Sequence, residues 1–239
     1  MPTLHRQVLN QMGEQICSGQ FAPGEILPAE DELAERMQVS RITIREMMKS
    51  LSAKGMLQVR RRHGTIVLPR SHWQLFDPDV ITWRARAGAV DADLIRDLME
   101  LRTIIEPNAA KLAAKRATPD DRAAVRRAFK AMERAVAGQG EYVPADLAFH
   151  GAILVACHNQ FVQQMQNALS AILRTSFELS SEIEGGPARS LPMHEALCVA
   201  IETGDANAAE QAVLTLIERA EKDFDDRAAL QRTVNDKPL

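Results

Sequence analysis

The chain has 239 residues, 46% of them hydrophobic and 26% charged, with a formal net charge of −3. That is ordinary soluble globular composition, enough for a small domain plus a larger one. It excludes a disordered or collagen-like chain, and no apolar run approaches the ~20 residues of a membrane span. Residues 1–10 lack an apolar stretch, so no secretory signal is expected and the protein is expected in the cytoplasm. The cysteines are Cys17, Cys157 and Cys198. With no Cys-x-x-Cys pair, a zinc ribbon and a thioredoxin-like motif are excluded, and the thiols are expected reduced and buried.

A first helix is expected from Leu4 to Cys17, where Leu4, Val8, Leu9, Met12 and Ile16 recur every three to four residues. Ser18-Gly19 stops it, residues 21–24 turn, and Ile26-Leu27-Pro28 is extended. A second helix covers Ala29 to Met37. After the turn at Gln38-Val39, Ser40 is placed to cap a third helix, Arg41 to Lys54, with Ile44, Met47, Met48 and Leu51 as its inner stripe. Gly55 closes it. Residues 57–59 and 65–68 favour strands, with a basic turn between them ending at Gly64.

Two short helices across a tight turn form a helix-turn-helix, and the hairpin behind them makes it winged. Residues 41–70 hold Arg41, Arg45, Lys49, Lys54, Arg60, Arg61, Arg62 and Arg70 against Glu46 alone, a local charge of +7 in an acidic chain. Charge alone would equally describe a solvated basic face. The motif around it points to a phosphate-facing surface. A third helix entering the major groove N-terminus first presents Arg41, Thr43 and Arg45 to bases or phosphates and Lys49 to a phosphate. The wing tip, Arg62, His63 and Gly64, reaches the neighbouring groove or backbone, although His63 alone reads as an exposed turn histidine.

Residues 70–90 are expected as a connector packed between domains, because Trp73, Phe76 and Trp83 concentrate there among Pro78 and Gly88. From 91 to about 230 everything reads as helix, in six to seven helices, with 231–239 as a tail. Leu94, Leu98, Leu101, Ile105 and Leu112 form the first stripe. Thr118-Pro119-Asp120 starts the next helix. Others are expected over Pro144–His158, along Phe161, Met165, Leu169, Ile172, Leu173 and Phe177, and over Leu191–Glu202. The last carries Ala209, Val213, Leu216, Ile217 and Phe224. The fold class is mainly α.

Asp146 and His150 stand four apart and so share a helix face, and His194 follows on a later helix. One carboxylate and two imidazoles suit a divalent transition metal. Taken alone, the trio reads more readily as a surface pair and an unrelated histidine. Arg102 and Arg174, set among apolar neighbours, could each pair with a ligand carboxylate or form a structural ion pair.

Leu27-Pro-Ala-Glu-Asp-Glu-Leu-Ala34, Val39-Ser-Arg-Ile-Thr-Ile-Arg-Glu46, Leu51-Ser-Ala-Lys-Gly55 and Gly64-Thr-Ile-Val67 resemble the GntR family of bacterial transcription regulators. Leu101-Arg-Thr-Ile-Ile-Glu-Pro107, Lys111-Leu-Ala-Ala-Lys-Arg-Ala-Thr118 and Ala200-Ile-Glu-Thr-Gly-Asp205 resemble its FadR-type subfamily, with an FCD-type effector domain. The connector and Phe76-Asp-Pro-Asp-Val80 look most like regulators of sugar-acid catabolism of the D-galactonate type. The resemblance implies a homodimeric repressor on a palindromic DNA operator, released by a small carboxylate effector. It implies a metal on Asp146, His150 and His194, zinc first, with nickel or manganese as alternatives. Two departures stand out. Asp31 occupies a position where the family has arginine, which removes one expected DNA contact. Leu216 stands where members with a full metal site have a further histidine. No catalytic residue is expected. The competing readings are a metal-free ligand-binding regulator, an architectural DNA-binding protein, and a metal hydrolase with a DNA-binding appendage.

Overall fold

The computed structural model describes residues 3–87, 92–167, 170, 171, 173, 174 and 185–235, with backbone alone at 92, 94, 95 and 224–235. The chain forms two compact units, Met1–Ala92 and Asp93–Leu239. Expectations at Gly88, Leu169, Ile172 and Phe177, and for the side chains of Leu94 and Phe224, lie outside the described residues.

In the first unit, α1 (Leu4–Cys17) begins where Thr3 accepts from the Arg6 N–H, and it buries Val8, Leu9, Met12 and Ile16. α2 (Glu30–Met37) and α3 (Arg41–Ala53) are joined by Gln38 in the left-handed conformation. The Ser40 hydroxyl accepts from Thr43 N–H at 3.1 Å, the cap that its position predicts. Ile44, Met47, Met48 and Leu51 are all buried. Gly55 is required: it has φ +72°, and a Cβ there would meet the His72 carbonyl oxygen at 2.1 Å.

β1 (Leu57–Arg60) and β2 (Gly64–Val67) pair antiparallel, Leu57 opposite Val67 and Arg60 opposite Gly64. The extended piece before α2 runs along β2: Leu27 N–H donates to Thr65 O, and Val67 N–H to Glu25 O. It therefore supplies the β2 edge with the partner that an exposed strand lacks.

Residues 70–86, read as connector, are a 3-10 turn (Arg70–His72) and α4 (Pro78–Arg86), with Asp77 capping α4. Trp73, Val80 and Trp83 join the same core as α1 and α3. The Trp83 ring lies on Gly13 of α1, and its Nε1–H donates to Asn10 Oδ1 at 3.1 Å. Above the ring stands Lys54, 5.7 Å from its centre, with Nζ at 2.6 Å from Asp77 and 2.9 Å from Asp79. Asp79 also receives a forked pair of bonds from Arg6. The two tryptophans thus close the first unit's own core, whereas Phe76 is exposed.

The second unit is helical throughout its described residues: α5 (Ala92–Arg116), α6 (Pro119–Val136), α7 (Tyr142–Ala156), α8 (Gln160–Gln164), α9 (Gly186–Thr203) and α10 (Ala206–Asn235). α6 starts as expected, on a reciprocal Thr118–Asp121 capping box with Pro119 behind it. α9 starts earlier than Leu191. Gly185 takes the left-handed conformation and Pro187 falls in the first turn, where a missing N–H costs nothing, so the expected break is the helix start. α10 continues to Asn235, into the stretch read as a tail. α6 packs on α7, and α9 packs on both α6 and α10.

One expectation fails on α5. Its predicted leucine stripe is half-buried, whereas Arg102, Glu106, Ala109, Ala110, Ala113 and Ala114 are buried. Periodicity of large apolar residues missed this face because it is made of alanines and one ion pair. No described helix is long and apolar enough to cross a membrane.

Gly13→Ala should destabilise the first unit. The new Cβ would lie 2.3 Å from the buried Trp83 ring. Overpacking costs about 1–3 kcal/mol, and an overlap this deep belongs at the upper end, above the ~1 kcal/mol that alanine gains in a helix. Both tryptophans of the chain lie in this unit, so fluorescence-monitored urea unfolding reads it directly.

Asp79 sets an acid dependence. Burial pushes its carboxyl up, but hydrogen bonds from Arg6 and Lys54 outweigh this and hold it below its ordinary 3.8. A depressed folded value adds stability above pH 3.8 that is lost as pH falls through the lower value. Asp79→Asn should lower the fluorescence-monitored Tm at neutral pH and flatten its fall below pH 3.8.

Candidate functional site

Two sets of side chains carry chemistry, one in each unit. In the first, Arg41, Arg45 and Lys49 are exposed along α3. Arg41 Nε lies 2.6 Å from Asp31, Arg45 Nε 2.6 Å from Glu30, and Lys49 Nζ 2.8 Å from Glu46. Exposed pairs of this kind are worth ~0–1 kcal/mol, so a phosphate can displace the acid at little cost. The unusual Asp31 is therefore found holding Arg41. Thr43 has a second occupation: its hydroxyl lies 2.9 Å from Ser40 Oγ, inside the cap. Between them Ile42 is 73% exposed, a residue that charge-based reading passed over.

At the wing tip Arg61, Arg62 and His63 are exposed, and Arg62 has φ +65°. His63 Nδ1 lies 3.0 Å from the Arg61 carbonyl oxygen. Gly64 has φ +85°, and a Cβ there would crowd Ile26 at 3.1 Å. The tip is thus a tight turn of three cationic or titratable side chains with no apolar cover.

In the second unit α7 puts Asp146 and His150 one turn apart, and α9 brings His194 to them. All three are buried, and their ligand atoms lie within 4.8 Å of one another. Asp146 Oδ1 is 3.4 Å from His150 Nε2 and 3.2 Å from His194 Nε2. His194 Nδ1 lies 2.9 Å from the Ser190 carbonyl, which can only accept, so Nδ1 carries the proton and Nε2 keeps its lone pair in the neutral ring. His150 Nδ1 faces Glu106 Oε2 at 3.5 Å, and Glu106 Oε1 accepts from Arg102 Nε at 2.7 Å. A carboxylate behind one imidazole and a backbone carbonyl behind the other is the support that fixes ligating histidines. Phe149 packs edge-on against both rings, 5.8 and 5.5 Å between centroids, which limits their rotation.

Asp146 Oδ1 and His194 Nε2 are buried without a hydrogen-bond partner. Leaving such acceptors in a dry interior is expensive, and a cation between them would satisfy both. Protons do the same work in part. Burial pushes Asp146 up, but His194 and His150 outweigh it and hold it well below the carboxylate range. Burial raises Glu106, yet Arg102 and His150 bring it down to about 2. Burial lowers His150, and Asp146 and Glu106 lift it to about 9. The donor set therefore fits a divalent cation: it is anionic, convergent and pre-oriented.

Beside the cluster is a small cavity lined by Arg102, Tyr142, Ser190, Leu216, Arg219 and Asp223. Tyr142 Oη lies 2.8 Å from Ser190 Oγ, and Arg219 Nε lies 3.0 Å from Asp223. Leu216, 7% exposed, gives a carbon surface where a further ligand would stand. Of the two arginines expected near a ligand, Arg102 is 1% exposed and lines this cavity. Arg174 is exposed and does not line it, whereas its neighbour Leu173 is buried. Sequence reading missed Glu106, although its i,i+4 spacing from Arg102 was a signal for an ion pair. It also missed Arg219 and Asp223, which carry the same i,i+4 signal, and Tyr142 and Ser190, which no spacing rule connects.

Residues 4–67 match the family described as bacterial regulatory proteins, gntR family, and residues 97–219 match the FCD domain. The galactonate operon transcriptional repressor of Escherichia coli is 37% identical over 88% of this chain and 92% of its own length. A putative L-lactate dehydrogenase operon regulatory protein of the same organism is 29% identical over 98% of this chain and 93% of its own. Among solved structures, the Lar regulator of Listeria monocytogenes superposes with a TM-score of 0.68 at 20% identity, covering 94% of this chain and 98% of that one, a likeness of fold.

Glu106→Gln should destabilise the second unit, because it removes the carboxylate charge that the buried Arg102 guanidinium meets at 2.7 Å. Breaking such a pair costs about 3–5 kcal/mol. Chemical denaturation followed by far-UV circular dichroism would measure it, and a change under 1 kcal/mol would contradict the burial argument.

Proposed function

Since the chain belongs to the GntR family of bacterial regulatory proteins and carries an FCD domain behind its winged helix-turn-helix, we propose that it is a repressor governed by a sugar-acid effector bound at a divalent metal on Asp146, His150 and His194. It is a DNA-binding transcriptional regulator, not an enzyme. The observation that supports the metal is the pair of buried, unpartnered acceptors, Asp146 Oδ1 and His194 Nε2, facing each other at 3.2 Å. Asp-His-His ligation suits zinc, and nickel or manganese after it.

When bound, the cation would present open positions that a carboxylate and its adjacent hydroxyl can fill. Arg102 supplies positive charge at the cavity wall and is itself steadied by Glu106. Tyr142 and Ser190 offer hydroxyls, and Arg219 a second cation. Polar groups on several sides favour a hydroxylated acid over an apolar one. That four E. coli and Shigella relatives are named for galactonate, L-lactate and uxu operons agrees with this class. Arg174, exposed, does not line this cavity.

On the DNA side, Arg41, Arg45 and Lys49 would exchange their acidic partners for phosphates and base edges. Arg62, His63 and Gly64 would follow the groove beside them, and Thr43 would help through the cap. A homodimer on a palindromic operator in the cytoplasm is the arrangement this motif serves best.

Chelator-stripped protein should bind Zn²⁺ in calorimetry, and Asp146→Ala should not. A metal at a hundred times its Kd should stabilise the fold by about 2.7 kcal/mol. From a panel of aldonates, uronates and short hydroxy acids, one class should bind the metal-loaded protein and weaken its hold on operator DNA. Binding of fatty acyl thioesters or amino acids alone would overturn the effector, and an unchanged Tm with every metal would overturn the metal.

A further inference from the structure

We infer that Ile42 is a specificity-determining residue that reads the C5 methyl of a thymine in the major groove. Ile42 is 73% exposed, the largest exposure among the exposed large hydrophobics of the first unit. An aliphatic side chain in water gains none of the stabilisation that burial gives, and isoleucine is a mediocre helix former. Nothing in the fold of the unit accounts for it.

Its direction does. At about 100° per residue, Ile42 stands roughly 170° from the middle of the buried stripe of Ile44, Met47, Met48 and Leu51. It is therefore close to the pole of the outward face of α3. Arg41, Arg45 and Lys49, all exposed, lie to one side of that line, Arg45 one turn on and Lys49 two turns on. Single exposed apolar residues are common and need no explanation. This one lies in the first turn of the helix that a helix-turn-helix inserts, beside its row of exposed cations.

The chemistry of the groove then limits the partner. Base edges there offer hydrogen-bond donors and acceptors and one apolar group, the thymine methyl. An isoleucine with no polar atom in its side chain can distinguish bases only by that methyl. Arg41 and Arg45, held by Asp31 and Glu30 at 2.6 Å, precede and follow it along the helix, placed to engage phosphate or guanine.

The test uses the full-length protein and duplexes that it selects from a random pool. Each thymine of the selected sequence is replaced singly by deoxyuridine, which lacks only the methyl. Wild type should lose about fourfold in affinity at one thymine per recognition unit, the worth of one buried methyl. Ile42→Ala should bind the parent duplex more weakly and show no penalty at that position, while Ile42→Val should retain it. Because the side chain is exposed, all three proteins should melt alike. Indifference of the wild type to every deoxyuridine overturns the inference, and so does an unchanged penalty in Ile42→Ala. A selection that recovers no duplex overturns both this inference and DNA recognition by α3.

Discussion

Removing five ionisable groups from water is the constraint around which the second unit is built. Arg102, Glu106, Asp146, His150 and His194 are each at most 5% exposed. Every such group carries a desolvation cost of several kcal/mol that only close partners offset. Hence the geometry: Arg102 on Glu106, Glu106 behind His150, Asp146 between the two imidazoles, Ser190 behind His194. Each partner is supplied by a helix, so the cluster fixes how α5, α7 and α9 come together.

The alanine face of α5 follows from the same need. Ala109, Ala110, Ala113 and Ala114 are buried below the ion pair, where larger side chains would hold the helix away. Small residues permit the backbone approach that lets the 3.5 Å contact between Glu106 and His150 form across helices. The first unit solves the opposite problem. The cations of α3 sit outside, neutralised by acids they can release, whereas Lys54 and Arg6 are committed to Asp77 and Asp79 around Trp83.

This contrast explains what the sequence made legible. The helix-turn-helix could be read almost residue by residue because its determinants are local: a cap at Ser40, a stripe every three to four residues, a glycine at 55. Asp146 and His150 were legible for the same reason, being one turn apart. Gly185 was misread because a left-handed glycine followed by proline both ends and begins helices. The pairing of Glu106 with Arg102 could have been read from its spacing, but its place behind His150, like the role of Tyr142, was illegible because it depends on which helices meet. The leucine stripe of α5 misled, since apolar size marked a half-buried face and the truly buried one carries charges.

A regulator needs a ligand that prefers one of its conformations, and tight binding to both would change nothing. The cavity beside the cluster bears on this. Its rim includes the Arg219–Asp223 pair and the Tyr142–Ser190 contact, both of which occupy polar groups an acid would want. An acid that takes Arg219 must separate it from Asp223, and one that takes a hydroxyl must open the Tyr142–Ser190 bond. Binding would therefore exchange a contact between α7 and α9 and an ion pair within α10 for contacts to the ligand, and the first of these falls on the packing of α7 and α9. The rigid part of the site is the buried cluster, and the part free to respond is its rim, so sensing would reside in residues that neither a metal motif nor a basic patch would have singled out.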